Sequence, residues 1–193
     1  MKNPNKVDDT QEEDLPPCSI FGMRIPKDYF VTSGQGESDI TVHAGSYHLA
    51  LKEAGIEMCN IISYSSIMPK IAQEVEKPKT LTHGAVLESI TAVANSEKGK
   101  RATAGIIYGW LYDRKTDKRY GGLVCEYNGH QEESVVSEQL RASLNELYVN
   151  GFDEQFELRN ERLTMRSFIP QKKHGTALVA VCFLNYIFPK LEN

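Results

Sequence analysis

The sequence predicts a single α+β domain, a sandwich of several strands interrupted by two helices. Its 193 residues support one domain with a substantial core, because a domain of about 150 residues buries about two-thirds of its unfolded surface. Most apolar runs are short and end at glycine, proline or polar clusters, which is typical of strands. Two longer segments carry apolar residues at helical spacing, and no internal repeat is evident.

The first 27 residues differ in composition from the rest and predict a flexible N-terminal arm. They are acidic and rich in proline, and apolar residues are scarce before Ile20. Such a segment buries too little apolar surface to fold alone. Residues 1–17 are polar where a secretory signal would need an apolar stretch. We therefore expect a cytoplasmic protein whose folded domain spans residues 28–193.

The first elements of the domain are a strand, a polar turn and a helix. Residues 29–31 begin a strand that runs into the Gly-rich segment 33–38, which predicts a turn. A phosphate-binding loop is the alternative for these glycines, but the third glycine and the Lys-Ser/Thr ending of such loops are missing. Residues 42–54 predict a helix that Gly55 ends as a C-cap.

The middle of the chain contains four further predicted strands, at residues 56–63, 85–94, 102–112 and 122–127. Short charged connections at residues 95–100 and 113–119 join the last three of them. Connections of this kind are expected of antiparallel hairpins whose tips face solvent.

The C-terminal part predicts the second helix and two final strands. Residues 132–149 place their apolar side chains on one helical face, and Gly151 ends the helix. The strands span residues 163–169 and 176–188. The last strand is apolar without alternation, so we expect it to be covered on both faces.

Composition excludes several classes of function. A net charge of −4, without a basic stripe, is poorly suited to phosphate backbones, so we expect no nucleic-acid partner and no anionic membrane surface. No apolar run is long enough to cross a bilayer. The cysteines are Cys18, Cys59, Cys125 and Cys182. They show no CxxC or Cys/His spacing, so we expect no metal site and, at the last three, buried free thiols.

General catalytic motifs do not reveal a function. The chain has no HExxH pattern, no Walker loop and no GxSxG elbow. His43 and His48 lie in the first predicted helix, five residues apart, which is not metal-ligand spacing. A surface or capping role is the simplest interpretation of all five histidines.

The most informative segment runs from Asn60 to Pro69 and contains the pair Ser65-Ser66. A serine pair by itself is commonplace, but this one ends a strongly apolar strand and is followed by Ile67-Met68-Pro69. Read as NxxxxSSIMP, the segment resembles the self-processing site of the pyruvoyl-dependent arginine decarboxylases.

A second segment agrees with the first. Residues 121–127, Gly-Gly-Leu-Val-Cys-Glu-Tyr, resemble the strand that delivers the catalytic glutamate of that family, here Glu126. Residues 54–56 and 83–88, and the closing apolar strand through Asn185, are also similar to the family. The resemblance covers residues 29–187 in order.

The resemblance implies a fold, an assembly and a processing event. The fold is a four-layer αββα sandwich, and the assembly is a homotrimer with active sites between neighbouring subunits. Autocatalytic serinolysis at Ser65-Ser66 yields a β chain of residues 1–65 and an α chain of residues 66–193, and it turns Ser66 into a pyruvoyl group. Asn60 polarises the carbonyl of Ser65 for this step.

The chemistry explains why a pyruvoyl group serves a decarboxylase. Loss of carbon dioxide from an amino acid leaves a carbanion at Cα, which needs an electron sink. A pyruvoyl group supplies that sink without pyridoxal phosphate or a metal. We expect the reaction to convert L-arginine to agmatine and carbon dioxide, with Glu126 returning a proton to Cα. Glu126 must then hold its own proton near neutral pH, which an apolar environment favours.

One position departs from the pattern of the family. An acidic residue in the first helix is associated with arginine specificity, and an ungapped count places His48 there. A histidine cannot form the bidentate carboxylate–guanidinium pair that makes arginine recognition strong. Either another acid, such as Asp39 or Glu53, takes over, or the substrate is a different amino acid. His48 and Ser65 are the substrate-binding candidates.

Two further hypotheses remain open at the level of sequence. The chain is either a decarboxylase or an uncleaved, non-enzymatic relative that keeps the trimer. As an enzyme, it serves either polyamine supply or acid resistance, because decarboxylation consumes a proton.

Overall fold

The computed structural model describes residues 22–189 of the chain. Within this range the backbone forms two sheets that pack face to face, one two-stranded ribbon and two helical segments.

The larger sheet has five strands. In chain order they are β2 (Asp28–Ser38), β3 (Asn60–Ser63), β5 (Gln73–Glu74), β6 (Val86–Glu97) and β10 (His174–Phe183). Their spatial order is β3-β6-β10-β2-β5. The central strand β10 is antiparallel to both neighbours, whereas β3 and β5 run parallel to β6 and β2 at the two edges.

The smaller sheet has four strands and is antiparallel throughout. Its members are β4 (Ile67–Pro69), β7 (Ala102–Asp113), β8 (Arg119–Gly129) and β9 (Phe156–Phe168). The spatial order is β4-β8-β7-β9, so β4 lies at one edge. The predicted hairpin through residues 113–119 is confirmed as β7–β8.

Apolar side chains from the facing sides of the two sheets form the central core. Alternate residues of each strand point to this side. Among the most buried are Ile90, Ile106, Val124, Val179 and Met68. Strand β10 is buried on both faces, as its uninterrupted apolar sequence predicted.

The first helix lies on the outer face of the five-stranded sheet. It opens with a π-helical turn at Val42–Tyr47 and continues as α1 (His48–Ala54), which Gly55 ends in a left-handed conformation. Ala50, Leu51 and Ala54 pack on this face of the sheet. The helix begins and ends where the sequence predicted.

The Gly-rich turn predicted at residues 33–38 is wrong, because these residues continue β2. A Cβ atom on Gly34 would lie 2.1 Å from the carbonyl oxygen of Ala50, and one on Gly36 would lie 2.2 Å from that of Ser46. The two glycines therefore allow the helix to approach the sheet closely, which is a recurring use of glycine inside strands.

The second helix, α2 (Glu133–Gly151), covers the outer face of the four-stranded sheet. Val136, Leu140 and Leu144 are buried there against Ile107 and Leu111. The layers thus follow the order helix, sheet, sheet, helix. This arrangement confirms a single α+β sandwich domain.

The hairpin predicted through residues 95–100 is also wrong. Strand β6 pairs with β3 and β10, whereas β7 belongs to the other sheet. Ala92 and Ala94 of β6 face Ala104 and Ile106 of β7 across the central core. Packing between the sheets, rather than backbone pairing, joins these two consecutive strands.

The last residues of the predicted arm contact the body of the domain. Ile25–Pro26 (β1) pairs with Tyr186–Ile187 (β11), and the backbone N–H of Gly22 donates to the carbonyl of Pro189 at 2.6 Å. The prediction of a flexible arm otherwise falls on residues 1–21, outside the described residues, as does Cys18.

The three cysteines of the described residues are free thiols, but only Cys182 is fully buried. Burial raises the pKa of Cys182 to about 12. The sequence predicted that Cys59 and Cys125 would also be buried, but both are only half-buried.

Candidate active site

The chain crosses from one sheet to the other at the serine pair. Strand β3 is an edge strand of the larger sheet and β4 an edge strand of the smaller one. The link between them consists of Tyr64, Ser65 and Ser66. Hydrogen bonds hold both ends: the N–H of Tyr64 donates to Ser89 at 2.8 Å, and the carbonyl of Ser66 accepts from Val124 at 3.3 Å.

The structure brings Ser66 and Glu126 together. The hydroxyl of Ser66 donates to Oε1 of Glu126 at 2.5 Å. Glu126 lies in β8, the strand that pairs with β4, and both residues are half-buried. The carboxyl group therefore lies directly beside the side chain that is expected to react.

The carbonyl group of Ser65 also has a defined partner. It accepts a hydrogen bond of 2.9 Å from the backbone N–H of Ile67. This contact closes a three-residue turn centred on Ser66. A donor on this oxygen polarises the carbonyl group, which is the requirement for attack at its carbon.

Asn60 is not brought to the serine pair within one chain. It begins β3, its side-chain amide donates to the carbonyl of Gly84 at 2.9 Å, and its backbone N–H donates to Ala85 at 2.8 Å. Extended backbone separates it from Tyr64, and four residues of strand span about 13 Å.

A second group of charged and polar side chains lies beside the serine pair, and the sequence interpretation missed it. Glu88 of β6 is 2% exposed. One of its carboxylate oxygens pairs with Arg24, and the other accepts the hydroxyl of Tyr64 at 2.5 Å. A lone glutamate inside an apolar strand was the available signal, but the partners could not be read from the sequence.

The family model for pyruvoyl-dependent arginine decarboxylases matches residues 28–188. The chain belongs to this family. The match begins just after β1 and includes both serines, Glu126 and Glu88.

Curated decarboxylases of this family from Chlamydia match over most of the chain, and one from Methanopyrus matches over about a third of it. The pyruvoyl-dependent arginine decarboxylase of Chlamydia abortus is 33% identical over 189 residues, which cover 86% of this chain and 94% of the relative. The enzyme of Chlamydia muridarum is 31% identical with the same coverage. That of Methanopyrus kandleri is 38% identical over 72 residues, 37% of this chain and 46% of the relative.

His48, which stands where this decarboxylase family is expected to carry an acid, is exposed at the start of α1. Helix α1 packs over β2 and β10, not over the edge where β3 leads into β4. The two alternative acids, Asp39 and Glu53, both have partners within the same chain. Asp39 accepts the backbone N–H of Lys173 at 3.1 Å, and Glu53 pairs with Arg166.

The pyruvoyl group that names the family fits the residue types present at the crossover. Ser66 can supply its carbon skeleton, and Glu126 lies at hydrogen-bonding distance from that serine. Within residues 22–189, no group of three or more His, Cys, Asp or Glu side chains is arranged to hold a metal ion. The helices of the same residues are too short or too polar to span a membrane.

Proposed function

We propose that this chain is a pyruvoyl-dependent arginine decarboxylase that cuts itself between Ser65 and Ser66 and then converts L-arginine to agmatine and carbon dioxide. The hydrogen bond of 2.5 Å between Ser66 and Glu126 carries the proposal. It joins the two residues on which the sequence resemblance depends, from two segments that are 60 residues apart.

Self-cleavage begins with an acyl shift. The hydroxyl oxygen of Ser66 bonds to the carbonyl carbon of Ser65 and loses its proton, and the peptide C–N bond breaks. The freed nitrogen of residue 66 takes up a proton to become an amine, and an ester links the two residues. The N–H of Ile67, 2.9 Å from the carbonyl oxygen, stabilises the negative charge that develops there. Loss of the Cα proton of Ser66 and of the ester oxygen from its Cβ leaves a carboxylate on Ser65 and dehydroalanine at position 66. Water then replaces ammonia to give the pyruvoyl group.

The pyruvoyl group supplies the electron sink for decarboxylation when it is in place. Glu126 donates the proton that replaces carbon dioxide on the substrate Cα. Its position supports this role, because its carboxyl oxygen lies beside the side chain of Ser66. General acid catalysis by a positioned side chain contributes about 10²–10⁴-fold.

A homotrimer with active sites between subunits is part of the proposal. The positions of Asn60 and His48 support it, since neither lies at the serine pair of its own chain. Asn60 then contributes its amide to the carbonyl of Ser65 in a neighbouring subunit, and His48 contributes to the substrate site from α1.

The substrate has a specific alternative. His48 stands where the family pattern expects an acid, and a histidine cannot pair with guanidinium in bidentate fashion. Decarboxylation assays with arginine, lysine, ornithine and histidine separate the two possibilities. Faster turnover of arginine than of the other amino acids supports the proposal. If arginine is not decarboxylated but another of these amino acids is, the proposed substrate is wrong and the proposed cofactor stands.

The intact mass of the purified chain tests the processing step. We expect two species under denaturing conditions, residues 1–65 and 66–193, the second lighter by one ammonia than a peptide that starts with serine. A single species at 21.7 kDa that decarboxylates none of the amino acids would instead support a non-enzymatic relative.

A further inference from the structure

We propose that Glu88 is a positioning residue for self-cleavage: it fixes Tyr64, and thereby the scissile peptide that follows, and it relies on Arg24 of the N-terminal segment for its charge balance. The inference rests on the proposed self-cleavage at Ser65-Ser66. It assigns a role to a buried ion pair that the decarboxylation chemistry does not use.

Glu88 has an unusual environment for a carboxylate. Among the described residues, it is the only charged residue that is almost completely buried, at 2% exposure. Its side chain points between the two sheets, since it alternates with Leu87, which faces α1. A buried carboxylate costs several kcal/mol unless it is paired and hydrogen-bonded. Both of its oxygens are occupied here, by Arg24 and Tyr64.

Tyr64 is held at three points, and it directly precedes the scissile residue. Its hydroxyl donates to Glu88 at 2.5 Å, its backbone N–H donates to Ser89 at 2.8 Å, and its ring packs on Phe183 at a centroid distance of 5.7 Å. Ser65, in contrast, is exposed and lies outside both strands. Tyr64 therefore anchors the residue before the scissile bond to the larger sheet and limits where the carbonyl group of Ser65 can lie.

The other side of the scissile bond belongs to the other sheet. Ser66 and Ile67 are attached to β8 through Val124 and Leu123. The attacking oxygen is thus held by the smaller sheet, whereas the Ser65 carbonyl is restrained from both sides, by Tyr64 on the larger sheet and by the N–H of Ile67 on the smaller one. Acyl transfer requires the reacting atoms to approach to about 3–3.5 Å in the correct orientation, and a misplacement of 1 Å can cost about 100-fold.

Arg24 connects this arrangement to the N-terminal segment. It precedes β1, which pairs with β11, and its guanidinium lies 5.2 Å from the ring centre of Tyr186. Its side chain is half exposed, whereas that of Glu88 is buried. Removal of Arg24 would leave the buried carboxylate without a cation, so the segment before the family match acts on the processing site.

The rate of self-cleavage after cell-free synthesis tests the proposal. The variant Tyr64→Phe removes one hydroxyl and keeps the ring, and Glu88→Leu removes the acceptor at similar volume. We expect both to cleave about 10–100-fold more slowly than the natural chain, the effect of losing a hydrogen bond to a charged group at the reacting segment. Glu88→Gln, whose amide oxygen can still accept from Tyr64, should recover part of the rate, and Arg24→Met should slow cleavage.

Tyr148→Phe is the matched control. Its hydroxyl donates to Phe156 at 2.9 Å on the outer side of the four-stranded sheet, so this variant also loses a tyrosine hydrogen bond. It should cleave at the natural rate. The three variants are compared at equal loss of melting temperature. If Tyr64→Phe and Glu88→Leu then slow cleavage no more than Tyr148→Phe does, the role of Glu88 is structural and the proposal is wrong.

Hydroxylamine identifies the step that is slowed. It cleaves the ester and leaves a hydroxamate on Ser65, so it acts only after the acyl shift. We expect chain cleavage of Tyr64→Phe to remain slow in hydroxylamine, because little ester forms in this variant. Rapid release of a hydroxamate-ended fragment from that variant would overturn the proposal. If the natural chain never cleaves, the proposed function is overturned as well. If the folded Tyr64→Phe and Glu88→Leu variants cleave at the natural rate, this inference alone is overturned.

Discussion

The hydroxyl of Ser66 lies 2.5 Å from the carboxylate of Glu126, although one residue directly precedes the edge strand β4 and the other lies late in β8. Antiparallel pairing of Ile67 with Leu123 sets this distance. A shift in the register of the two strands would separate the side chains by several ångströms, because each residue advances a strand by about 3.4 Å. Strand pairing therefore provides the geometry on which both proposed reactions depend.

The two serines have different roles in the proposed cleavage, and their alanine variants should differ accordingly. Ser66→Ala removes the attacking oxygen, so we expect a single uncut chain. Ser65→Ala keeps the carbonyl group that is attacked, so we expect two fragments. Denaturing mass spectrometry reads both results, and fragments from Ser66→Ala would show that another nucleophile cuts the chain.

Glu126→Gln should separate processing from catalysis. The amide oxygen of glutamine can still accept from Ser66, so the chain should be cut, but the proton donor is lost and kcat should fall about 10²–10⁴-fold. Agmatine release per cleaved chain measures the loss. Glu138→Gln, on the exposed side of α2, is the control and should keep full activity. Unchanged kcat in the cleaved Glu126→Gln enzyme would remove Glu126 as the acid.

Asn60 provides a test of sharing between subunits. Asn60→Ala should cut itself about 10²–10³-fold more slowly, the usual loss for one donor at a developing oxyanion. Co-expression with Ser66→Ala, which carries an intact Asn60, should restore cleavage of the Asn60→Ala chain if the amide acts across the interface. No rescue in the mixed assembly would indicate that Asn60 acts only within its own chain, where its amide donates to Gly84.

Gly34→Ala should destabilise the fold. The added Cβ would lie 2.1 Å from the carbonyl oxygen of Ala50, and overpacking of this kind costs about 1–3 kcal/mol. Urea unfolding in the uncut Ser66→Ala background measures the free energy of a single chain. Gly151→Ala, where the added atom would have no neighbour within 4 Å, should not lose stability. Equal stability of the two variants would contradict the close packing of α1.

The buried thiol of Cys182 should make stability depend on alkaline pH. Burial raises its pKa from 9.0 to about 12, so between these values the unfolded chain loses the thiol proton more readily than the folded chain. The free energy of unfolding should therefore fall as pH rises through that window. Cys182→Ala should show a smaller fall, measured by urea unfolding in the uncut background. Identical slopes would indicate that the thiol is not buried in solution.

The sequence predicted the elements that local patterns determine. The apolar periodicity of α2 and the uninterrupted apolar run of β10 correspond closely to the observed elements. The prediction failed where a distant partner decides the structure. Gly34 reads locally as a turn residue, but the approach of Ala50 explains it, and β6 leaves its expected hairpin because its apolar face packs across the core.

The same distinction applies to the candidate site. Ser66 and Glu126 could be selected from their segments, and the structure places them in contact. Glu88 could not be assigned, because its partners Arg24 and Tyr64 are 64 and 24 residues away. The meaning of a buried charge depends on which side chain neutralises it, and that information is present only in the folded chain.

The position of β2 determines what becomes of the protein if the proposed cut between Ser65 and Ser66 is made. This strand belongs to the shorter fragment, yet it lies between β10 and β5, which both belong to the longer one. Its pairing with β10 extends over ten residues, from Tyr29 to Ser38. Neither piece contains a complete larger sheet, so neither can leave without exposing the interior. The two fragments should therefore stay together in any purification step that does not unfold the protein.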